Sequence, residues 1–148
     1  MVYPVFLSVV YVVKNQENQL TETLDKSVSY LSGIVEDFEV IVVDNASADE
    51  SVFKLSTLTQ ENGLPNLQVY ALTKTVDRDT AAWVGIENSL GDFVAVINPE
   101  EDDINQLPAL IEKAVSGADV VFGKNITKPK QSLFYKLGEK FFNLLFKS

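Results

Sequence analysis

Neither cysteine nor histidine occurs among the 148 residues of this chain. Their absence removes disulfides, structural zinc sites, thiol and imidazole nucleophiles and imidazole bases from the chemistry open to it. Any metal must then be a hard cation held by oxygen ligands. A chain without cysteine also fits a reducing compartment, so a cytoplasmic location is expected. The opening "MVYPVFLSVVYVV" is apolar, yet it has no basic leader and no small-residue cleavage site, and it is too short to span a bilayer. It reads as a buried strand. Internal repeats and low-complexity stretches are missing as well.

What is present is the balance of a soluble globular domain: 46% apolar and 22% charged residues, in a length that suits one domain with a real core. The net charge of −9 is unevenly spread. From position 124 onward six lysines (Lys124, Lys128, Lys130, Lys136, Lys140 and Lys147) stand against one acid, Glu139, which leaves a tail of +5 on a body of −14. That asymmetry points the tail at a charged surface and argues against nucleic acid as a partner of the body.

Short apolar runs rich in β-branched residues alternate with helical patterns, the rhythm of parallel strands joined by crossover helices. Strands are expected at about 6–13, 38–43, 67–72, 93–97 and in "ADVVFG" (118–123). "FEVIVV" has too little polar alternation for a solvated face, so it belongs inside a parallel sheet. Leu20, Leu24, Val28 and Leu31 fall on one face of a helix over 20–31. Ser47 and Glu50 have capping-box spacing and predict a helix from there to about Asn62. A short helix is expected over 80–89, and another runs to Val115 with Pro108 in its first turn, where a missing amide costs little.

The segment 132–146 carries an apolar stripe of Leu133, Leu137, Phe141, Leu144 and Leu145, widened by Phe134, Tyr135, Phe142 and Phe146 and bordered by lysines. Such a helix docks on the sheet, lies in a membrane interface, or pairs with a second copy. The expected division is a body over 1–123 and a basic aromatic tail helix over 124–148.

With these elements in order, the chain resembles the nucleotide-binding half of the family 2 glycosyltransferases with the GT-A fold, and most of all their polyprenyl-phosphate branch. "FEVIVVDNASADES" is similar to the family's second strand and its D-D/N-x-S-x-D-x-S turn, with Asp44, Asn45, Ser47, Asp49 and Ser51 in place. In "LSVVYVVKNQENQL" Asn15 matches a Pro-x-x-Asn-Glu turn, while Val12 and Gln16 replace the proline and the glutamate. In "LTKTVDRDTAAWVGIENSLGDF" Lys74, Ala81, Gly85, Gly91 and Asp92 fit, and Thr75 and Asp77 stand where asparagine and glycine are usual. "VAVINPEEDD" occupies the place of the D-x-D metal motif, with Asn98 for its first aspartate and Glu100 for its second.

The resemblance implies a three-layer α/β/α fold with a mostly parallel, Rossmann-like sheet, plus a C-terminal amphipathic helix. It implies transfer of a sugar from UDP or GDP to a lipid phosphate or a glycan. Nucleotide contacts are expected at Val13, Asn15, Asp44, Asn45, Lys74 and Arg78, with Asp44 reading the base. Mg²⁺ or Mn²⁺ is expected at Asn98, Glu100 and Asp102, because the diphosphate leaving group gains negative charge as the glycosidic bond breaks. A peripheral place at the inner face of the membrane, or self-association through 132–146, follows for the tail.

Other readings stay open on the residues themselves. Asp44 and Asn45 also suit a plain turn, and Asp49 a helix dipole. Lys74 and Arg78 also suit an exposed surface. The acidic patch is a working site built on Glu100 with Asp102 or Asp103, a decayed one, or a solvated loop. No catalytic base can be named, since the family's acceptor-side half has no counterpart in these residues. That gap, with the departures at positions 12, 16, 75, 77 and 98, makes a non-catalytic GT-A-like module the alternative. A flavodoxin-type domain is the weaker third, for want of a phosphate loop after the first strand.

Overall fold

The computed structural model describes residues 2–117. Eight main elements follow in chain order: β1 (Tyr3–Val13), α1 (Leu20–Ile34), β2 (Val35–Asp44), α2 (Ser51–Leu58), β3 (Leu67–Ala71), α3 (Arg78–Glu87), β4 (Phe93–Ile97) and α4 (Leu107–Val115). The strands form one four-stranded sheet in the order β3-β2-β1-β4, with every pairing parallel. β1 and β2 lie at its centre. Their runs Val9–Val13 and Val40–Val43 are buried throughout, as a parallel sheet covered on both faces requires.

Alternation along the strands sorts the core into two layers. Leu7, Val9, Tyr11, Val13, Val40, Val42, Ala95 and Ile97 face α1, α2 and α4, meeting Leu20, Leu24, Leu31, Leu55, Leu107 and Ile111. Val10, Val12, Ile41, Val43 and Val96 face α3 and meet Ala81, Ala82 and Ile86. The fold is therefore the three-layer α/β/α arrangement. Each fully buried leucine of the first layer contributes about 2 kcal/mol of transfer free energy.

The chain winds β1, β2, β3 outward in one direction and then returns to place β4 on the far side of β1. The order thus reverses at β1, and the crevice beyond the carboxyl ends of β1 and β4 is the topological switch point, where ligands of open α/β sheets bind.

Boundaries differ from the sequence expectation in instructive places. β1 begins at Tyr3 and β2 at Val35, because Tyr3 pairs with Val35 ahead of an irregularity in the register between Tyr3 and Phe6. The capping box at Ser47 and Glu50 does not form. α2 starts at Ser51 with Glu50 as its uncapped N-cap, and it ends at Leu58 rather than near Asn62. The Ser47 hydroxyl is engaged by Asp44 instead, at 2.6 Å. α3 starts at Arg78, two residues early, because the Asp77 carboxylate accepts from the Thr80 amide at 2.8 Å and from its hydroxyl at 2.9 Å. The expected fifth strand (118–123) and tail helix (132–146) lie outside the described residues.

Candidate functional site

Three loops leave the carboxyl ends of β1, β2 and β4, and side chains lace them together. Asn15 has φ 52° and Ala46 φ 56°, so the first two loops both turn through the left-handed region. Asn15 uses its amide and its side chain on the second loop: its N–H donates to Ser47 Oγ at 2.8 Å, and its Oδ1 accepts from the Ala48 amide at 2.8 Å. The Gln16 amide donates to Ser51 Oγ at 3.1 Å and the Glu17 amide to Asp49 Oδ2 at 3.2 Å. Lys54 closes the set by donating to the Glu17 carbonyl at 2.6 Å.

Asp44 is fully buried at the root of this lacing. Its Oδ2 accepts from the Ser47 amide at 2.9 Å and its Oδ1 from the Ser47 hydroxyl at 2.6 Å. The carboxylate shapes its own turn, and that turn presents Ser47 to Asn15. Asn45 does a comparable task toward the loop after β3: its Nδ2 donates to the Val76 carbonyl at 2.8 Å and its Oδ1 accepts from the Val76 amide at 3.0 Å. Asp49 accepts from the Ser51 amide at 2.9 Å. Hydrogen bonding from Ser51, side chain first, together with the Glu17 amide, holds the Asp49 carboxyl below the ordinary carboxylate range against a smaller opposing effect of burial.

Beyond β4, Asn98 is almost fully buried and organises the acidic loop. Its Oδ1 accepts from the Glu100 amide at 3.1 Å, its carbonyl accepts from the Asp102 amide at 2.8 Å, and its amide donates to Asp102 Oδ2 at 2.8 Å. Glu100 itself is exposed, and its Oε1 accepts from Gln16 Nε2 at 3.2 Å across the crevice. Among the described residues no three acidic side chains gather around a common point. A cation here would meet at most two protein carboxylates, the number that suits an ion taking its remaining ligands from phosphate and water.

The nominated residues thus fall into two sets. Val13, Asn15, Asp44, Asn45, Asn98, Glu100 and Asp102 converge on the carboxyl ends of the sheet. Lys74 lies exposed on the loop that Asn45 anchors, and Arg78 opens α3. Two residues at the crevice escaped sequence reasoning. Lys14 reaches from the end of β1 to the Thr75 hydroxyl at 3.2 Å, and Gln16 bridges to Glu100. Lys14 offers no sequence signal beyond its place directly after β1, and Gln16 stood out only as a departure from the Pro-x-x-Asn-Glu turn, with no contact assigned to it.

Comparison with known proteins agrees with this fold. Undecaprenyl-phosphate 4-deoxy-4-formamido-L-arabinose transferase of Pectobacterium carotovorum is 29% identical over 142 residues, covering 94% of this chain and 42% of the relative. The enzyme of the same description from Pseudomonas paraeruginosa is 31% identical over 121 residues, covering 80% and 35%. This chain therefore spans less than half the length of these curated relatives. Among solved structures, Staphylococcus aureus TarS superposes with a TM-score of 0.60 at 24% identity, covering 80% of this chain and 35% of the other. Glucosyl-3-phosphoglycerate synthase of Mycobacterium tuberculosis, solved with Mn²⁺, UDP and glucosyl-3-phosphoglycerate, gives 0.55 at 23%, covering 78% and 42%. At such identities the structures speak for the fold. The model of the family described as glycosyl transferase family 2 matches residues 8–148, and with that match over nearly its whole length the chain belongs to glycosyl transferase family 2.

Proposed function

We propose that residues 2–117 form the donor-binding half of a sugar transferase, holding a UDP- or GDP-sugar in the crevice beyond β1, β2 and β4 for transfer to a polyprenyl phosphate. The observation that carries this is the lacing of the first two loops through Asn15, Ser47 and Asp44, which fixes a polar rim at the switch point of the sheet. The descriptions of the relatives name undecaprenyl phosphate, which supports a lipid-phosphate acceptor. Such an acceptor is already an anion, so the reaction asks little of a general base. It also brings the protein to a membrane surface; among the described residues no helix is long and apolar enough to cross one.

Base recognition falls to the loop 44–49. Because the Asp44 carboxylate is buried against Ser47, an imide of uracil or guanine reaches it only by displacing the Ser47 hydroxyl. That exchange replaces one neutral donor by another and leaves the charge satisfied. Lys14, Lys74 and Arg78 supply positive charge on the side of the crevice bounded by the loop after β3, where a diphosphate would lie.

The donor atoms fit a divalent cation such as Mg²⁺ or Mn²⁺: all are oxygens, Glu100 is exposed, and Asp102 sits on the same turn. Glu100 and Asp102 would hold the ion, whose chemistry is to offset the charge that grows on the departing diphosphate. Asn98, whose Oδ1 accepts from the Glu100 amide, shapes the loop that presents these carboxylates. Calorimetric titration of UDP and GDP, with and without Mn²⁺, tests the reading. Binding that Mn²⁺ strengthens in the wild type, and that is weakened in Asp44→Asn, is expected; no binding of either nucleotide under any condition rejects it.

A further inference from the structure

Gln16 is buried, 8% exposed, and its backbone is fixed on both sides. Its amide donates to Ser51 Oγ at 3.1 Å, and its carbonyl accepts from the Gln19 and Leu20 amides at 3.1 and 3.0 Å. A side chain rooted so firmly has little freedom left to lose when it makes a further contact. That contact is with Glu100, 84 residues away in sequence, and it is a direct side-chain bond across the switch-point crevice between the β1 and β4 loops.

The chemistry of the pair is asymmetric. Gln16 donates through Nε2 to one carboxylate oxygen of Glu100, which leaves the other oxygen for a ligand. A carboxamide does this without adding charge, whereas a second carboxylate at position 16 would face Glu100 as a like charge until a cation arrived between them. An apolar residue there would leave the Glu100 arm to sample its rotamers. Resting on the donor-site reading above, we infer that Gln16 is the positioning residue of the cation site: it orients Glu100 for the ion, and its neutrality keeps the affinity of that site low.

The test reads metal binding rather than turnover. Mn²⁺ is titrated into the purified chain, alone and with saturating UDP, with free Mn²⁺ followed by its electron paramagnetic resonance; UDP is also titrated without metal. Gln16→Leu is expected to weaken Mn²⁺ binding about tenfold, the scale of one hydrogen bond to a charged group. Gln16→Glu is expected to tighten it by about as much, since the ion gains a second facing carboxylate. Metal-free UDP affinity should hold in both variants. Glu100→Gln should abolish Mn²⁺ binding.

Unchanged Mn²⁺ affinity in Gln16→Leu beside a loss in Glu100→Gln overturns the role of Gln16 and leaves the cation site standing. A parallel fall in metal-free UDP affinity overturns it too, since Gln16 would then merely support the crevice. If Gln16→Leu does not fold, Gln16→Glu decides: tightening supports the inference and unchanged affinity overturns it. Should the wild type take Mn²⁺ but no UDP, the donor reading fails while the Mn²⁺ titrations still judge Gln16. A wild type that takes neither sinks both.

Discussion

β2 carries two buried carboxylates, Glu39 midway along it and level with the starts of β3 and β4, and Asp44 at its carboxyl end, and the partners they choose are opposite in kind. Glu39, 5% exposed, accepts from the Ser8 hydroxyl at 2.8 Å, the Leu90 amide at 2.8 Å and Gln68 Nε2 at 3.1 Å. Those donors come from β1, from the turn before β4 and from β3. Asp44 accepts from the amide and hydroxyl of Ser47, three residues on. Neither has an ion-pair partner among these contacts. Glu39 cross-links distant parts of the chain, so its bonds belong to the stability of the sheet. Asp44 is satisfied within one turn, so on the proposed donor-site reading its bonds can be exchanged for a ligand without unpicking the fold. The amino end of the sheet is built to stay closed and the carboxyl end to be opened.

The largest expected effect comes from breaking the first kind of carboxylate. Glu39→Ala strands three donors and should cost about 4 kcal/mol in urea unfolding, at about 1–3 kcal/mol for each unsatisfied group with partial rehydration. Nucleotide affinity of the protein that remains folded should change by no more than about twofold. Gly91→Ala sharpens the same point, since Gly91 donates to Ser8 Oγ at 2.8 Å. A Cβ there would lie 2.7 Å from the Ser8 nitrogen and 2.8 Å from the Phe6 carbonyl oxygen, so backbone must move and about 3 kcal/mol should be lost.

Asp44→Ala inverts the pattern. Only a local turn loses its acceptor, so unfolding should cost about 1.5 kcal/mol, while UDP affinity measured by calorimetry falls at least about tenfold. Equal stability losses at positions 39 and 44 would break the comparison. The smallest effect belongs to Asp49, whose folded carboxyl lies below the ordinary 3.8. A depressed value means that the ionised form is favoured by folding. Its contribution is complete above 3.8 and is lost as pH falls from there through the lower folded value. Asp49→Asn should therefore flatten the acid limb of a stability-versus-pH curve and leave neutral-pH stability little changed.

Much of this was legible in the residues. β4 and the end of α4 fall where periodicity puts them, because Phe93–Ile97 and the stripe containing Leu107 and Ile111 obey local rules that tertiary packing reinforces. The loop after β2 was legible through its turn pattern, and the acidic run was legible as the loop after β4, its role standing open between a site and a solvated loop. What escaped was set by partners far away in sequence. Ser47 satisfies a capping rule on paper, but Asp44 and Asn15 offer it better bonds. The amino end of β2 reads as a loop because Glu36 and Asp37 are polar, yet Val35 is held by pairing with Tyr3. Gln16 looks like a lost glutamate until Glu100 is seen beside it. The two partners sit in different motifs, and no local pattern joins them.

The reciprocal bond between the Asn45 side chain and Val76 resembles an extra rung on the β2–β3 ladder, placed just past the bond from the Leu72 amide to the Asp44 carbonyl. Leu72 and Val76 are thereby pinned to β2 like the two feet of an arch, with Lys74 at its crown. An arch pinned at both feet can be lengthened, shortened or recoloured at its crown without disturbing the sheet beneath. The span 73–75 is therefore the place where this scaffold can acquire a new ligand preference at the least cost to its foldability.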